Sequence, residues 1–154
     1  MRDQIDETDI LLISELLGNG RISAKSLAKK ADIHPNTLLF RVKRLEKQGI
    51  IHNYTTRIDF SKLGFNLHFI ILLKFPEGGP WEKDAMKELL DMPELESFYS
   101  ITGNWDAITC WRVRSREHFR GILKNVARHR MVVRTSSQLV LETHKTPFDF
   151  NPLI

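Results

Sequence analysis

The chain has 154 residues, 42% of them hydrophobic, and a formal net charge of +4, which suits one ordinary folded domain or two small ones and argues against disorder. No apolar run approaches the roughly 20 residues that span a bilayer, and the acidic start MRDQIDETD is unlike a secretory signal. A lone cysteine, Cys110, excludes an internal disulfide and a cysteine-based zinc cluster within one chain, so the cytoplasm is the expected location.

IDETDILLISELLGNG reads as a first helix. Asp6 is placed to cap it, Asp9 stands at the capping-box position, and Ile10, Ile13, Leu16 and Leu17 recur at helical spacing. Gly18-Asn19-Gly20 stops it. Ser23 caps a short second helix with Leu27, Ala28 and Ala31 on one face, and Asp32-Ile33-His34 turns the chain. Pro35 opens a third helix, where its missing N–H would be unpaired anyway, and Gly49 ends that helix. Three short helices with a tight second connection make a helix-turn-helix, a unit that places its last helix in the major groove.

At about 100° per residue, Leu38, Val42 and Leu45 of the third helix share one face, with Leu39 at its edge. Asn36, Thr37, Phe40, Arg41, Lys43, Arg44 and Lys47 spread over the other. Arginine can hold guanine at two points, asparagine can hold adenine, and a ring can touch the thymine methyl. Lysines and a helix N-terminus neutralise phosphates. The charge distribution agrees: Arg2 against five carboxylates gives −4 over residues 1–19, whereas nine cations against Asp32 and Glu46 give +7 over residues 20–57. The residues expected at DNA are Lys25, Lys29, His34, Pro35, Asn36, Thr37, Phe40, Arg41, Arg44 and Lys47. The plainer alternative is a solvated charged face with Phe40 tucked against the first helix.

Residues 50–58 are rich in β-formers and predict a connecting strand, and 59–64 a turn, with a boundary near 60. Beyond it the chain predicts a strand at 66–75, the loop PEGGP, a helix at 81–90 with Trp81, Ala85, Met86, Leu89 and Leu90 inward, and strands at 95–102 and 107–113 joined by the turn GNWD. A second helix, capped by Ser115 with Phe119, Ile122, Leu123 and Val126 apolar, leads to a last strand at 132–145. This is the βαββαβ order of a ferredoxin-like sheet. One sheet face is left open, which favours subunit pairing through it. The tail carries Phe148, Phe150, Leu153 and Ile154, expected to dock on the body or on a neighbouring chain. The fold class is therefore α+β: a (winged) helix-turn-helix domain at 1–50, a connecting strand and hinge at 51–64, a ferredoxin-like domain at 65–146 and a tail at 147–154.

This order, carried by IDETDILLISELLGNGRIS, HPNTLLFRVKRLEKQGII, NYTTRIDFSKLGF, GNWD and RTSSQLVLE, resembles the Lrp/AsnC (feast/famine) transcription regulators over nearly the whole chain. The resemblance implies sequence-specific binding of double-stranded DNA, a C-terminal RAM domain, and homodimers that often build octamers or other higher forms. It also implies a small amino-acid effector bound between dimers. The matching effector positions are Gly103, Asn104, Trp105, Asp106, Thr135, Ser136 and Ser137. Hydroxyls and backbone N–H groups there would hold a carboxylate, and Asp106 or a turn carbonyl an ammonium group. Asn104 stands where many members carry an acid, and His129-Arg130-Met131 replaces the usual proline-glycine pair.

Neither GxxxxGKS nor GxGxxG occurs, and the six histidines show no HExxH pairing. His118 and His129 read as surface residues and Cys110 as an inert thiol. No catalytic residue, metal ligand or cofactor is expected. The alternatives are an architectural DNA-binding protein that is indifferent to sequence, and an enzyme of the same architecture resembling the sirohaem decarboxylases. The characteristic His, Asn, Tyr and Trp run of those enzymes is missing.

Overall fold

The computed structural model describes residues 4–77, 79 and 83–153. Pro80, Trp81 and Ile154, expected in a loop, a helix and the tail, lie outside the described residues. The chain forms two compact units, Met1–Arg57 with Lys145–Ile154, and Ile58–His144.

In the first unit, α1 (Glu7–Gly18), α2 (Ala24–Lys30) and α3 (Pro35–Lys47) are each started by a side-chain cap. The Asp9 amide donates to Asp6 Oδ1 at 2.9 Å and the Asp6 amide donates to Asp9 Oδ2 at 3.2 Å, a reciprocal capping box. The Ser26 amide donates to the Ser23 hydroxyl at the start of α2. The turn into α3 holds Asp32 at φ 51°, a left-handed conformation that aspartate tolerates better than most residues. Gly49 leaves α3 at φ 70°.

Leu12, Leu27, Ala28 and Leu38 form the buried core of these helices, with Leu16, Ile22, Ala31, Ile33 and Val42 packed on it. Leu45 is also buried, and Leu39 is exposed. The expected face of α1 needs correction: Leu12 is the fully buried residue, while Ile10 and Leu17 are exposed. Leu16, about 40° round the helix from Leu12, packs on the core, whereas Leu17 and Ile10 lie roughly 140° and 160° from Leu12, on another face.

The expected connecting strand at 50–58 is not a strand, because a strand needs a ladder partner and the described residues of this chain offer none there. Tyr54 instead donates its hydroxyl hydrogen to Glu46 Oε1 at 2.9 Å, and Arg57 donates to Asp149 Oδ1 at 2.9 Å. Thr146 and Asp149 hold the tail in a short turn, and Asn151 donates to the Ser14 hydroxyl at 3.0 Å. Phe148 and Phe150 remain exposed.

In the second unit, β1 (Leu67–Lys74), β2 (Leu95–Ser100), β3 (Ala107–Val113) and β4 (Arg134–Leu139) form one antiparallel sheet in the order β2-β3-β1-β4. Phe69, Ile71 and Leu73 of β1 alternate inward and pack with Trp111, Val113 and the α5 (Arg116–Arg128) residues Phe119, Ile122 and Val126. Trp111 is fully buried, and its indole N–H donates to Thr109 Oγ1 at 2.7 Å. That hydroxyl in turn donates to the Ile71 carbonyl at 2.8 Å. The buried Trp111 and Thr109 polar groups are thus paired.

Three expectations shift here. The helix placed at 81–90 is a 3-10 turn, Lys83–Met86, followed by the short α4 (Lys87–Leu90), with Met86 and Leu89 buried but Leu90 exposed. β4 is far shorter than 132–145, because its partner β1 begins at Leu67. The pairing Phe69↔Leu139 and the bond from the Val140 amide to the His68 carbonyl exhaust that partner, and Leu141 is exposed. His129 is buried rather than on the surface, its Nδ1 accepting the Met131 amide hydrogen at 3.3 Å. Among the described residues no helix is long and apolar enough to cross a membrane.

Candidate functional site

α3 begins with an unusual cap. The Asn36 amide donates to His34 Nδ1 at 3.2 Å, so Nε2 carries the hydrogen in the neutral ring. His34, Pro35, Asn36 and Thr37 are all exposed at this helix start. Phe40 is 69% exposed, so it is not tucked against α1. At about 100° per residue, Asn36, Phe40, Lys43 and Lys47 fall within roughly 60° of one another. They form one narrow exposed stripe along the helix. Lys25 and Lys29 of α2 are exposed as well. Among the described residues none of these four lysines takes part in an ion pair.

Arg41 and Arg44 stand elsewhere, and their expected place on the free face is corrected. Arg41 Nη1 donates to Asp6 Oδ2 at 2.7 Å and to Asp9 Oδ1 at 2.9 Å. Arg44 Nη2 donates to the other Asp9 oxygen, Oδ2. Asp9 is completely buried, and each arginine side chain is about one-fifth exposed. The Asp9 amide first, and the Arg41 guanidinium second, hold the Asp6 carboxyl below its usual range. Asp6, and then Asp9, push the Arg41 guanidinium up. The signal was in the spacing: Arg41 lies about 40° round the helix from Leu45, nearer the core than the stripe. Asp9 was read only as a capping residue. Its second role needs the fold, because 32 and 35 residues separate it from its arginines.

The GNWD turn joins β2 to β3, with Gly103 at φ 109°, a conformation that suits glycine. Asp106 does not present a free carboxylate for an ammonium group. Its Oδ1 accepts from Lys74 Nζ at 2.8 Å and its Oδ2 from the Phe75 amide at 2.7 Å. Those two bonds, Lys74 first, hold its carboxyl below the usual range. Trp105 is half-buried under the Arg134 guanidinium, 4.5 Å from the ring centroid, an aromatic pairing that links the turn to the start of β4. Arg134 was not among the expected residues. Thr135 and Ser136 are half-buried and Ser137 is exposed. Their pairing with Leu73, Leu72 and Ile71 sends Ser136 to the sheet face opposite Thr135 and Ser137. Asn104 is exposed. The turn and the strand start are therefore neighbours, but their hydroxyls do not all converge. Among the described residues no group of three His, Cys, Asp or Glu side chains is placed to hold a metal ion.

Residues 5–52 match the model of winged helix-turn-helix DNA-binding domains, and residues 69–149 match the model of the Lrp/AsnC ligand binding domain. An HTH-type transcriptional regulator of Pyrococcus furiosus is 30% identical over 149 residues, covering 97% of this chain and 99% of its own. The HTH-type transcriptional regulator LrpA of Mycobacterium tuberculosis is 31% identical over 144 residues, covering 93% and 94%. Among solved structures, a feast or famine regulatory protein of M. tuberculosis complexed with L-methionine superposes with a TM-score of 0.84 at 28% identity, covering 94% of this chain and 97% of that one. A transcriptional regulator of Neisseria meningitidis in complex with L-Met gives 0.83 at 25% identity, covering 93% and 94%.

Proposed function

The chain belongs to the Lrp/AsnC family of helix-turn-helix transcriptional regulators, and on that footing we propose that it binds specific duplex DNA through the exposed stripe of α3 and responds to an amino acid. The observation that carries the DNA reading is the stripe itself. Asn36 and Thr37 offer hydrogen bonds at the helix start, Phe40 offers an uncovered ring, and Lys43 and Lys47 offer free cations. A 69% exposed phenylalanine between cations gains nothing in water, and it gains a contact against a thymine methyl. Lys25, Lys29, Lys43 and Lys47 act as phosphate contacts, while His34 and Pro35 set the helix start against the backbone. Arg41 and Arg44 support the helix rather than read bases.

The effector reading is supported by relatives solved with L-methionine and by the nearness of the GNWD turn to the start of β4. Gly103, Asn104 and Trp105 with Thr135, Ser136 and Ser137 remain the proposed contacts, now joined by Arg134 as the cation for a carboxylate. Asp106 shapes the turn. The ammonium group then falls to a turn carbonyl or to a residue of a second subunit, which fits assembly as a homodimer or higher form.

The test is selection of bound genomic fragments by the full chain, with and without an amino-acid mixture. Recovery of a common motif whose occupancy changes with the mixture supports both parts. Equal recovery of all fragments would replace specific regulation with architectural binding. A motif unaffected by all twenty amino acids, with no rise in melting temperature, would remove the effector part.

A further inference from the structure

The Asp9 carboxylate is fully buried, yet it sits at the first turn of α1 and receives guanidinium groups from two positions on α3. The first turn of a helix favours carboxylates, because unpaired amides leave it partly positive. Asp6, one turn earlier, accepts from the same Arg41 Nη1 through both of its oxygens, a third ion pair. Three directional contacts therefore join one end of α1 to the middle of α3. Rotating α3 by one residue, about 100°, would break all of them and turn Asn36 and Phe40 away from where they now face. Among the described residues, the buried Arg44 Nε has no hydrogen-bond partner, and Asp9 is the side chain that Arg44 bonds.

We propose that Asp9 is the positioning residue of the reading helix: it withholds Arg41 and Arg44 from DNA and fixes the rotation that presents the Asn36–Phe40–Lys43–Lys47 stripe. An arginine that left for a phosphate would take from the buried Asp9 carboxylate one of its two guanidinium partners, which is costly. α3 thus meets DNA with two free cations instead of four. Its binding depends correspondingly less on phosphate charge, which is blind to sequence, and more on base contact. This rests on the DNA-binding reading above.

The experiment compares full-length wild type, Asp9→Asn, Arg41→Met and Lys43→Ala on a selected genomic fragment and on a random duplex of equal length, across a salt series. Asp9→Asn is expected to steepen the salt dependence by roughly 0.9 per phosphate newly engaged and to shrink the selected-to-random affinity ratio by about tenfold. Arg41→Met is expected to keep the wild-type salt slope, while Lys43→Ala lowers it. A purely structural role would weaken both duplexes alike with the slope unchanged, and that result in Asp9→Asn overturns the proposal. So does a slope lowered in Arg41→Met as in Lys43→Ala, since Arg41 would then touch phosphate directly. Where melting shows that Asp9→Asn is not folded, Arg41→Met decides alone. Wild type that binds neither duplex overturns the DNA-binding reading itself, a result distinct from any variant difference.

Discussion

Among the described residues of the sheet unit, twelve buried apolar side chains from β1, β3, α5 and their neighbours form one cluster, and its buried Thr109 hydroxyl and Trp111 N–H are paired with each other and with the Ile71 carbonyl. Among the described residues of the helical unit, four buried apolar side chains form the cluster, and the same interior holds the Asp9 carboxylate with Arg41 and Arg44. The sheet is oriented by its ladder, because backbone bonds fix register and alternation fixes the inward face. Three short helices have no such ladder. Leucine contacts are non-directional, so a few of them hold helices together while leaving their rotation loosely set. An ion pair with defined geometry supplies that direction. Ions are a poor source of stability, but the helical unit spends them where its function needs an angle.

The comparison implies that the sheet unit fails by losing packing. Trp111→Ala removes a fully buried ring and the N–H that donates to the Thr109 hydroxyl, and should cost about 3–5 kcal/mol. Leu38→Ala in the helical unit should cost roughly 2–5 kcal/mol, toward the low end, because a small core relaxes into the space. Chemical unfolding of the full chain measures both. A larger loss for Leu38→Ala than for Trp111→Ala would reverse the ranking of the two cores.

The same contrast explains what the amino-acid sequence revealed. Caps are local: Asp6, Ser23 and Ser115 each accept the amide three residues on, as their spacing implied. Strand order was legible because alternation and helix breaks mark each βαββαβ element. Elements that depend on a partner were not legible. Residues 50–58 have strand-forming side chains but no strand beside them, and β4 stops where β1 stops. At α3, composition identified a basic face, but whether an arginine is free or paired depends on a carboxylate more than thirty residues away. At the GNWD turn, glycine and asparagine announced the bend, yet both oxygens of Asp106 are taken by β1 and the residue after it, Lys74 and Phe75.

Phe40→Ala probes the exposed stripe. Fold stability should stay within about 0.5 kcal/mol, as for most surface changes. DNA affinity should fall by about 1–2 kcal/mol, reflecting partial burial of the ring on binding. A melting point that falls while affinity holds would return Phe40 to the core. A smaller effect is expected on the open face of the sheet. There burial holds His68 below its ordinary 6.5, with Arg112 adding to the shift and Glu96, 3.4 Å away, opposing it. The unfolded chain therefore takes up a proton before the folded one. Stability from neutral His68 is complete above about pH 6.5 and is lost as the pH falls through the folded value. Between pH 7 and pH 5 the urea midpoint of wild type should fall more than that of His68→Gln. Equal falls would show that another group carries the acid sensitivity.

The most drastic rewriting of the helical unit should still change its stability little. Asp9→Leu, Arg41→Met and Arg44→Leu together replace the ionic contacts with apolar ones and give this interior the chemistry of the sheet core. Removing only one partner strands a charge, but removing all three strands none, so the triple variant should fall within about 1 kcal/mol of wild type in chemical unfolding. Its salt dependence on DNA should also match wild type, because the stripe lysines are untouched. Its selected-to-random affinity ratio should still drop, since leucine and methionine pack without fixing the rotation of α3. If the triple variant kept full discrimination, packing alone would orient the reading helix, and the two units would differ in composition but not in how they hold their geometry.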